Sequence, residues 1–86
     1  MHYLYILKSK KSGNYYIGES SNVERRLLQH QQGKTSFGRV NNEVVIAYKK
    51  ELQNRAQAKK LESFLKRQKS HLFIDRFIKG KITIPP

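Results

Sequence analysis

The 86-residue sequence has no cysteine and only six acidic residues against eighteen lysines and arginines. Each shortage excludes something. Without cysteine there is no disulfide framework and no thiolate zinc site, and the composition suits a reducing compartment. No run approaches the ~20 apolar residues needed to span a bilayer, so no membrane role is expected. Met1-His2-Tyr3 leads straight into a strand-like pattern, without the charged-then-apolar layout of a secretory signal. A cytoplasmic location is the expectation. The shortage of acid leaves a net charge of +12 and a pI near 10.3. Such a field attracts polyanions and releases counterions from nucleic acid on binding. The blander alternatives are a ribosomal or chromatin-type binder, or a basic surface that only keeps the protein soluble.

At this length the chain makes one domain, residues 1–86. So small a domain buries only roughly 60–65% of its unfolded surface. The core must be lean, and the 37% hydrophobic content is concentrated in distinct segments, which argues for a folded chain. Residues 3–7, Tyr-Leu-Tyr-Ile-Leu, read as a strand. A polar stretch with Gly13-Asn14 signals a turn, and residues 15–18, Tyr-Tyr-Ile-Gly, read as a second strand of an antiparallel hairpin. If Leu7 pairs with Tyr16, then Tyr5 faces Gly18, while Tyr15 points to the opposite face as a core residue.

Ser20, Ser21 and Asn22 are all suitable N-caps, and Ser21 with Glu24 forms a capping-box pattern. A helix is expected from about Asn22 to Gln31, stopped by Gly33. Lys34 to Glu43 reads as a loop, and residues 44–48, Val-Val-Ile-Ala-Tyr, as a third strand. Asn54 opens a second long helix through about Lys69, with Ala58, Leu61 and Leu65 on its apolar side and a basic opposite face. Ser70 caps a shorter helix to about Ile78. Ile82 and Ile84 suggest a small edge strand before the closing Pro85-Pro86. The order β-β-α-β-α-α implies an α/β (α+β) sandwich, a three-stranded, mostly antiparallel sheet covered by helices.

Tyr3-Leu4-Tyr5 followed by Tyr16-Ile17-Gly18 resembles the paired motifs of GIY-YIG nuclease domains. The second tyrosine follows the first by eleven positions. Ten further on, Arg26 lies in Glu24-Arg25-Arg26-Leu27-Leu28-Gln29-His30, similar to the family's helix with an arginine and a histidine four residues later. Ala58-Lys59-Lys60-Leu61-Glu62 resembles the segment with the metal-binding glutamate. The likeness covers roughly residues 3 to 78 and is nearest to small, stand-alone bacterial members, relatives of the nuclease module in excision-repair and homing endonucleases. Three features depart from the pattern. Tyr3 stands where the first motif has glycine. Glu19 stands where the excision-repair relatives carry lysine. No residue clearly matches a late asparagine, Gln68 being the nearest amide.

The resemblance implies a metal-dependent endonuclease that hydrolyses phosphodiester bonds in DNA, with DNA favoured over RNA and a place in repair or recombination. One ion, Mg²⁺ or Mn²⁺, is implied at Glu62, because a hard cation is satisfied by one carboxylate, waters and phosphate oxygens. Otherwise Glu62 is a surface acid paired with lysines at helical spacing. Tyr5 is the implied general base or orienter of the attacking water, or else a packed strand aromatic. As a base its pKa near 10 has to be lowered by cations, and Arg26 and the metal are the expected source. Tyr16 would bind phosphate or water beside it. Arg26 offers a guanidinium fork to the phosphate oxygens. His30 would contact phosphate or protonate the leaving oxygen, or make an ordinary hydrogen bond. Glu19 is either a second acid near the metal or, as favoured here, the partner of a lysine. Lys8, Lys10, Lys11, Arg25, Lys34, Arg39, Lys59 and Lys66 are candidate phosphate contacts, which position a nucleic acid without reading its sequence. The alternatives are a non-catalytic nucleic-acid-binding domain that retains the fold, and a general basic interaction protein. The oligomeric state is left open.

Overall fold

Alternation along the first strand decides the architecture. In the computed structural model, which describes residues 1–40 and 43–80, β1 spans His2–Ser9 and lies between β2 (Tyr15–Ser20) and β3 (Val44–Leu52) in the order β2-β1-β3. Both pairings are antiparallel. A central strand covered on both faces needs apolar side chains on both. Accordingly Leu4, Tyr5, Ile6 and Leu7 are all essentially buried. Leu4 and Ile6 pack with Leu65, Ile74 and Phe77 of the later helices. Tyr5 and Leu7 point the other way and pack with Val23 and Val44. Burying each such aliphatic side chain contributes about 1.5–3 kcal/mol.

The helices are α1 (Val23–Gln31), α2 (Ser36–Val40), α3 (Arg55–Gln68) and α4 (His71–Ile78). The expected fold class holds, with one addition: α2 occupies part of the stretch read as a loop. Its five residues are too few to show a helical period, and Phe37 is its only aromatic. Caps fix the helix starts. The Asn22, Asn54 and Ser70 side chains accept from the backbone N–H groups of Arg25, Gln57 and Phe73. Asn22, not Ser21, caps α1. Glu24 does not close a capping box; its carboxylate lies 3.2 Å from Lys49 Nζ.

The hairpin register is as expected, with Leu7 opposite Tyr16 and Tyr5 opposite Gly18. Tyr15 packs against the α3–α4 side of the core and donates its hydroxyl to Asp75. β3 runs four residues beyond the expected end at Tyr48, because Lys49 to Leu52 pair with His2 to Tyr5. Its register shifts once, between Ile6 and Leu7. The suggested strand at Ile82 and Ile84 lies outside the described residues.

Candidate active site

Gly18 creates the space at the centre of the site. A Cβ placed there would stand 2.6 Å from the Tyr5 hydroxyl oxygen and 3.1 Å from the Tyr16 ring. The absence of a side chain on edge strand β2 thus lets the Tyr5 hydroxyl reach the sheet edge. The Tyr5 and Tyr16 rings lie 6.3 Å apart, centre to centre, at 32°.

Arg26, on the first turns of α1, faces these phenols. Its Nη1 donates to Gln29 Oε1 at 2.6 Å, which fixes one arm of the fork. Its interaction with the Tyr5 hydroxyl, with a further contribution from Tyr16, raises the Arg26 pKa. Tyr5 itself reverses an expectation. Burial pushes its pKa above the ordinary tyrosine value, the Arg26 hydrogen bond opposes that rise, and the charges of Tyr16 and Glu62 add to it. In the chain alone Tyr5 is therefore a neutral phenol at neutral pH, because desolvation outweighs the guanidinium.

Glu62 approaches from α3, which packs on both β1 and β2. Its side chain is only 15% exposed, and its Oε1 lies 3.6 Å from Lys66 Nζ. The Glu62 charge acts on Tyr5, so the acid is neither remote from the phenols nor a freely solvated surface residue. Tyr5 and Tyr16 thus adjoin Gly18, while Arg26 from α1 and the charge of Glu62 from α3 both act on Tyr5.

His30 is completely buried. Its Nδ1 lies 2.6 Å from Thr35 Oγ1, which also accepts from the Gly38 N–H at 3.0 Å. Its Nε2 has no hydrogen-bond partner among the described residues. The ring packs on Tyr16 at 4.6 Å and edge-on to Phe37 at 6.0 Å. Burial, and then the charge of Arg26, lower its pKa. The sequence reading missed Thr35 and Phe37. A hydroxyl and an aromatic five and seven positions after the histidine were the available signal, but only a helix at 36–40 brings them back onto it.

The expected phosphate contacts separate into groups. Lys59 and Lys66 lie on α3 beside β2. Lys8, Lys10 and Lys11 are exposed at the end of the β1–β2 hairpin, where Lys8 sits 5.6 Å over the Tyr15 ring, on the α4 side of the sheet. Arg25, Lys34 and Arg39 are exposed around α1 and α2. Glu19 is the partner of basic groups, as favoured. It pairs with His2 and lies 3.6 Å from Arg55 and 3.8 Å from Lys59. The Gln68 amide donates to Phe64 O at 2.9 Å within its own helix, so it supplies nothing to the phenol site.

Among the described residues, no three His, Cys, Asp or Glu side chains are grouped as metal ligands. The donor set is one shielded carboxylate beside two phenols. That fits a hard divalent ion completed by waters and substrate oxygens and does not fit tetrahedral zinc. No described helix is long and apolar enough to cross a membrane.

Comparison with known proteins identifies the family. Residues 1–73 match the GIY-YIG catalytic domain model. A UPF0213 protein of Yersinia pestis (strain Pestoides F) is 38% identical over 79 residues, covering 86% of this chain and 82% of its own. A UPF0213 protein of Streptococcus pneumoniae serotype 4 is 34% identical over 68 residues, covering 78% and 68%. One from Staphylococcus saprophyticus is 31% identical over 66 residues, covering 76% and 79%. No solved structure matches the chain. A hairpin carrying two converging phenols, an arginine from the next helix and a single acid from a later one stand within a match that spans most of the sequence, and the chain belongs to the GIY-YIG catalytic domain family.

Proposed function

We propose that this protein is a divalent-metal-dependent endonuclease that hydrolyses phosphodiester bonds in DNA, in the service of repair or recombination. What supports the reading is that Tyr5 and Tyr16 line the space left by Gly18 and that Arg26 and the charge of Glu62 both act on Tyr5. A domain that only bound polyanions would gain nothing from a shielded carboxylate in a chain of charge +12.

Glu62 would hold the ion, Mg²⁺ or Mn²⁺. When bound, the ion supplies Lewis-acid relief of negative charge on the phosphate. The remaining steps belong to side chains. Arg26 extends its guanidinium from the phenols to a non-bridging phosphate oxygen, a contact that strengthens as charge develops there. Tyr16 hydrogen-bonds the same phosphate and keeps it over Gly18. Tyr5 orients the attacking water and takes its proton through the small phenolate fraction that Arg26 stabilises. His30, fully buried and held at Nδ1 by Thr35, packs on Tyr16 and would keep that phenol in place.

The test is cleavage of labelled single-stranded, duplex and branched DNA with Mg²⁺, Mn²⁺ or EDTA. Wild-type protein should cut only with metal. Glu62→Ala and Tyr5→Phe should each lose about 10²–10⁴-fold in rate while DNA binding persists. Binding without cleavage under either metal would instead identify a non-catalytic domain.

A further inference from the structure

Beside the phenol site an open groove of about 550 Å³ runs along the start of β2, one of the two edge strands of the sheet. It has aromatic groups on both sides. On one, Tyr16 packs on Phe37 with ring centres 5.2 Å apart. On the other, Tyr15 stacks on the exposed His71 at 4.6 Å and 29°. Lys66 and Lys69 form its cationic rim. Its volume is in the range of sites that enclose a small organic group.

The groove also continues the line of α3. Positions 59, 62 and 66 recur at three- and four-residue steps and share one helix face, and Lys69 caps the end of that helix. Glu62 thus has cations on both sides, and Lys66 is its own ion-pair partner at 3.6 Å. Lys59, with Arg55, lies against the Glu19 carboxylate, which offsets that positive charge. Lys66 and Lys69 stand over the aromatic groove. Lys69 also holds a left-handed backbone, φ 48°, the only non-glycine residue to do so among the described residues. A lysine there replaces the glycine that the conformation favours, and such strain concentrates at functional positions.

We propose that this groove binds the unpaired nucleotide next to the phosphate held over Gly18, so that the substrate is a single strand or a single-stranded segment of a branched molecule. This rests on the nuclease reading and specifies its substrate. Aromatic faces and flanking cations are what a single strand requires, because its bases expose their faces for stacking and its phosphates stay accessible. A continuous duplex hides those faces within its own stack. The aromatic lining would then be useless to it, whereas exposed lysines alone would suffice.

Binding in EDTA separates this inference from cleavage. The probes are a fluorescein-labelled single strand, in DNA and RNA forms, the matching DNA duplex, and a single strand carrying 2-aminopurine, whose emission falls on stacking. Wild-type protein should bind the single strand about tenfold or more tightly than the duplex at equal salt and quench the 2-aminopurine. His71→Ala should weaken single-strand binding several-fold and leave duplex binding unchanged. Lys69→Gly, which relieves the backbone and keeps the helix end folded, should also weaken it. Equal or tighter duplex binding, or an unquenched reporter, would overturn the inference even if the protein cleaves DNA. Stacking that persists in an inactive protein would uphold the groove and defeat the nuclease reading instead.

Discussion

His30 and Tyr5 are both buried titratable groups, and burial moves them in opposite directions because it disfavours whichever form is charged. For His30 the folded-state pKa lies below the ordinary 6.5. As pH falls through 6.5, the unfolded chain takes up a proton at this site that the folded chain resists. The unfolded state then binds more protons, so folding stability declines on acidification. Thermal melts between about pH 7.5 and 5 should show a midpoint that drops by a few degrees, and His30→Gln should flatten that slope. Asp75 does not confuse the reading: its pKa is depressed, chiefly by its hydrogen bond from Lys79, so its contribution is lost only at lower pH, below the ordinary carboxylate range. For Tyr5 the raised pKa makes the phenolate a minor species at neutral pH. The cleavage rate at saturating metal should therefore climb about tenfold per pH unit from about 7 to 9. Tyr5→Phe should lose that rise, and a slope unchanged in the variant would assign the proton to another acceptor.

The approach of α2 to α1 is enforced by Gly38, where a Cβ would stand 2.1 Å from the His30 carbonyl oxygen. A backbone atom in a helix cannot move aside as a side chain can. Gly38→Ala should push α2 away from α1 and lift Thr35 from His30 and Phe37 from Tyr16. The expected cost is about 1–3 kcal/mol in a urea melt, with a changed near-ultraviolet tyrosine signal and reduced cleavage. This contact also shows where the sequence stopped being readable. The hairpin register was accessible because strand alternation ties Tyr5 to Gly18 once Leu7 is paired with Tyr16. The helices α1, α3 and α4 were accessible because their apolar residues recur at helical spacing and Asn22, Asn54 and Ser70 are good caps. α2 has neither signal. Its place is set by the glycine approach and the Thr35 hydrogen bonds, which are contacts between segments and leave no local period. Likewise Lys49 to Leu52 look like the end of a strand, but pairing with β1 carries β3 through them. At the site, the residue types were legible and the sign of the Tyr5 shift was not, because charge can be counted in a sequence whereas desolvation depends on packing.

Over the whole sequence, eighteen basic residues stand against six acids, and the described acids are not evenly available to a ligand. Glu24 is engaged by Lys49, Asp75 by Lys79, and Glu19 by three basic groups. Glu62, paired with Lys66, is the one whose charge reaches Tyr5. Two consequences follow for a bound strand. If about five phosphates are neutralised, single-strand affinity should fall about 100-fold between 50 and 200 mM salt, since each contact contributes about 0.7 to the logarithmic slope. Removing the Glu62 charge should then act oppositely on strand binding and on the proposed cleavage. Without metal, Glu62→Gln deletes a negative charge facing the phosphate and frees Lys66, so binding should tighten several-fold and the salt slope should steepen. With metal, the same variant should lose cleavage, because the carboxylate that would hold the ion is gone. Anisotropy titrations at four salt concentrations, paired with a cleavage assay on the same preparations, measure both. Weaker binding by Glu62→Gln in EDTA would mean that the acid organises the surface structurally and does not oppose the phosphate.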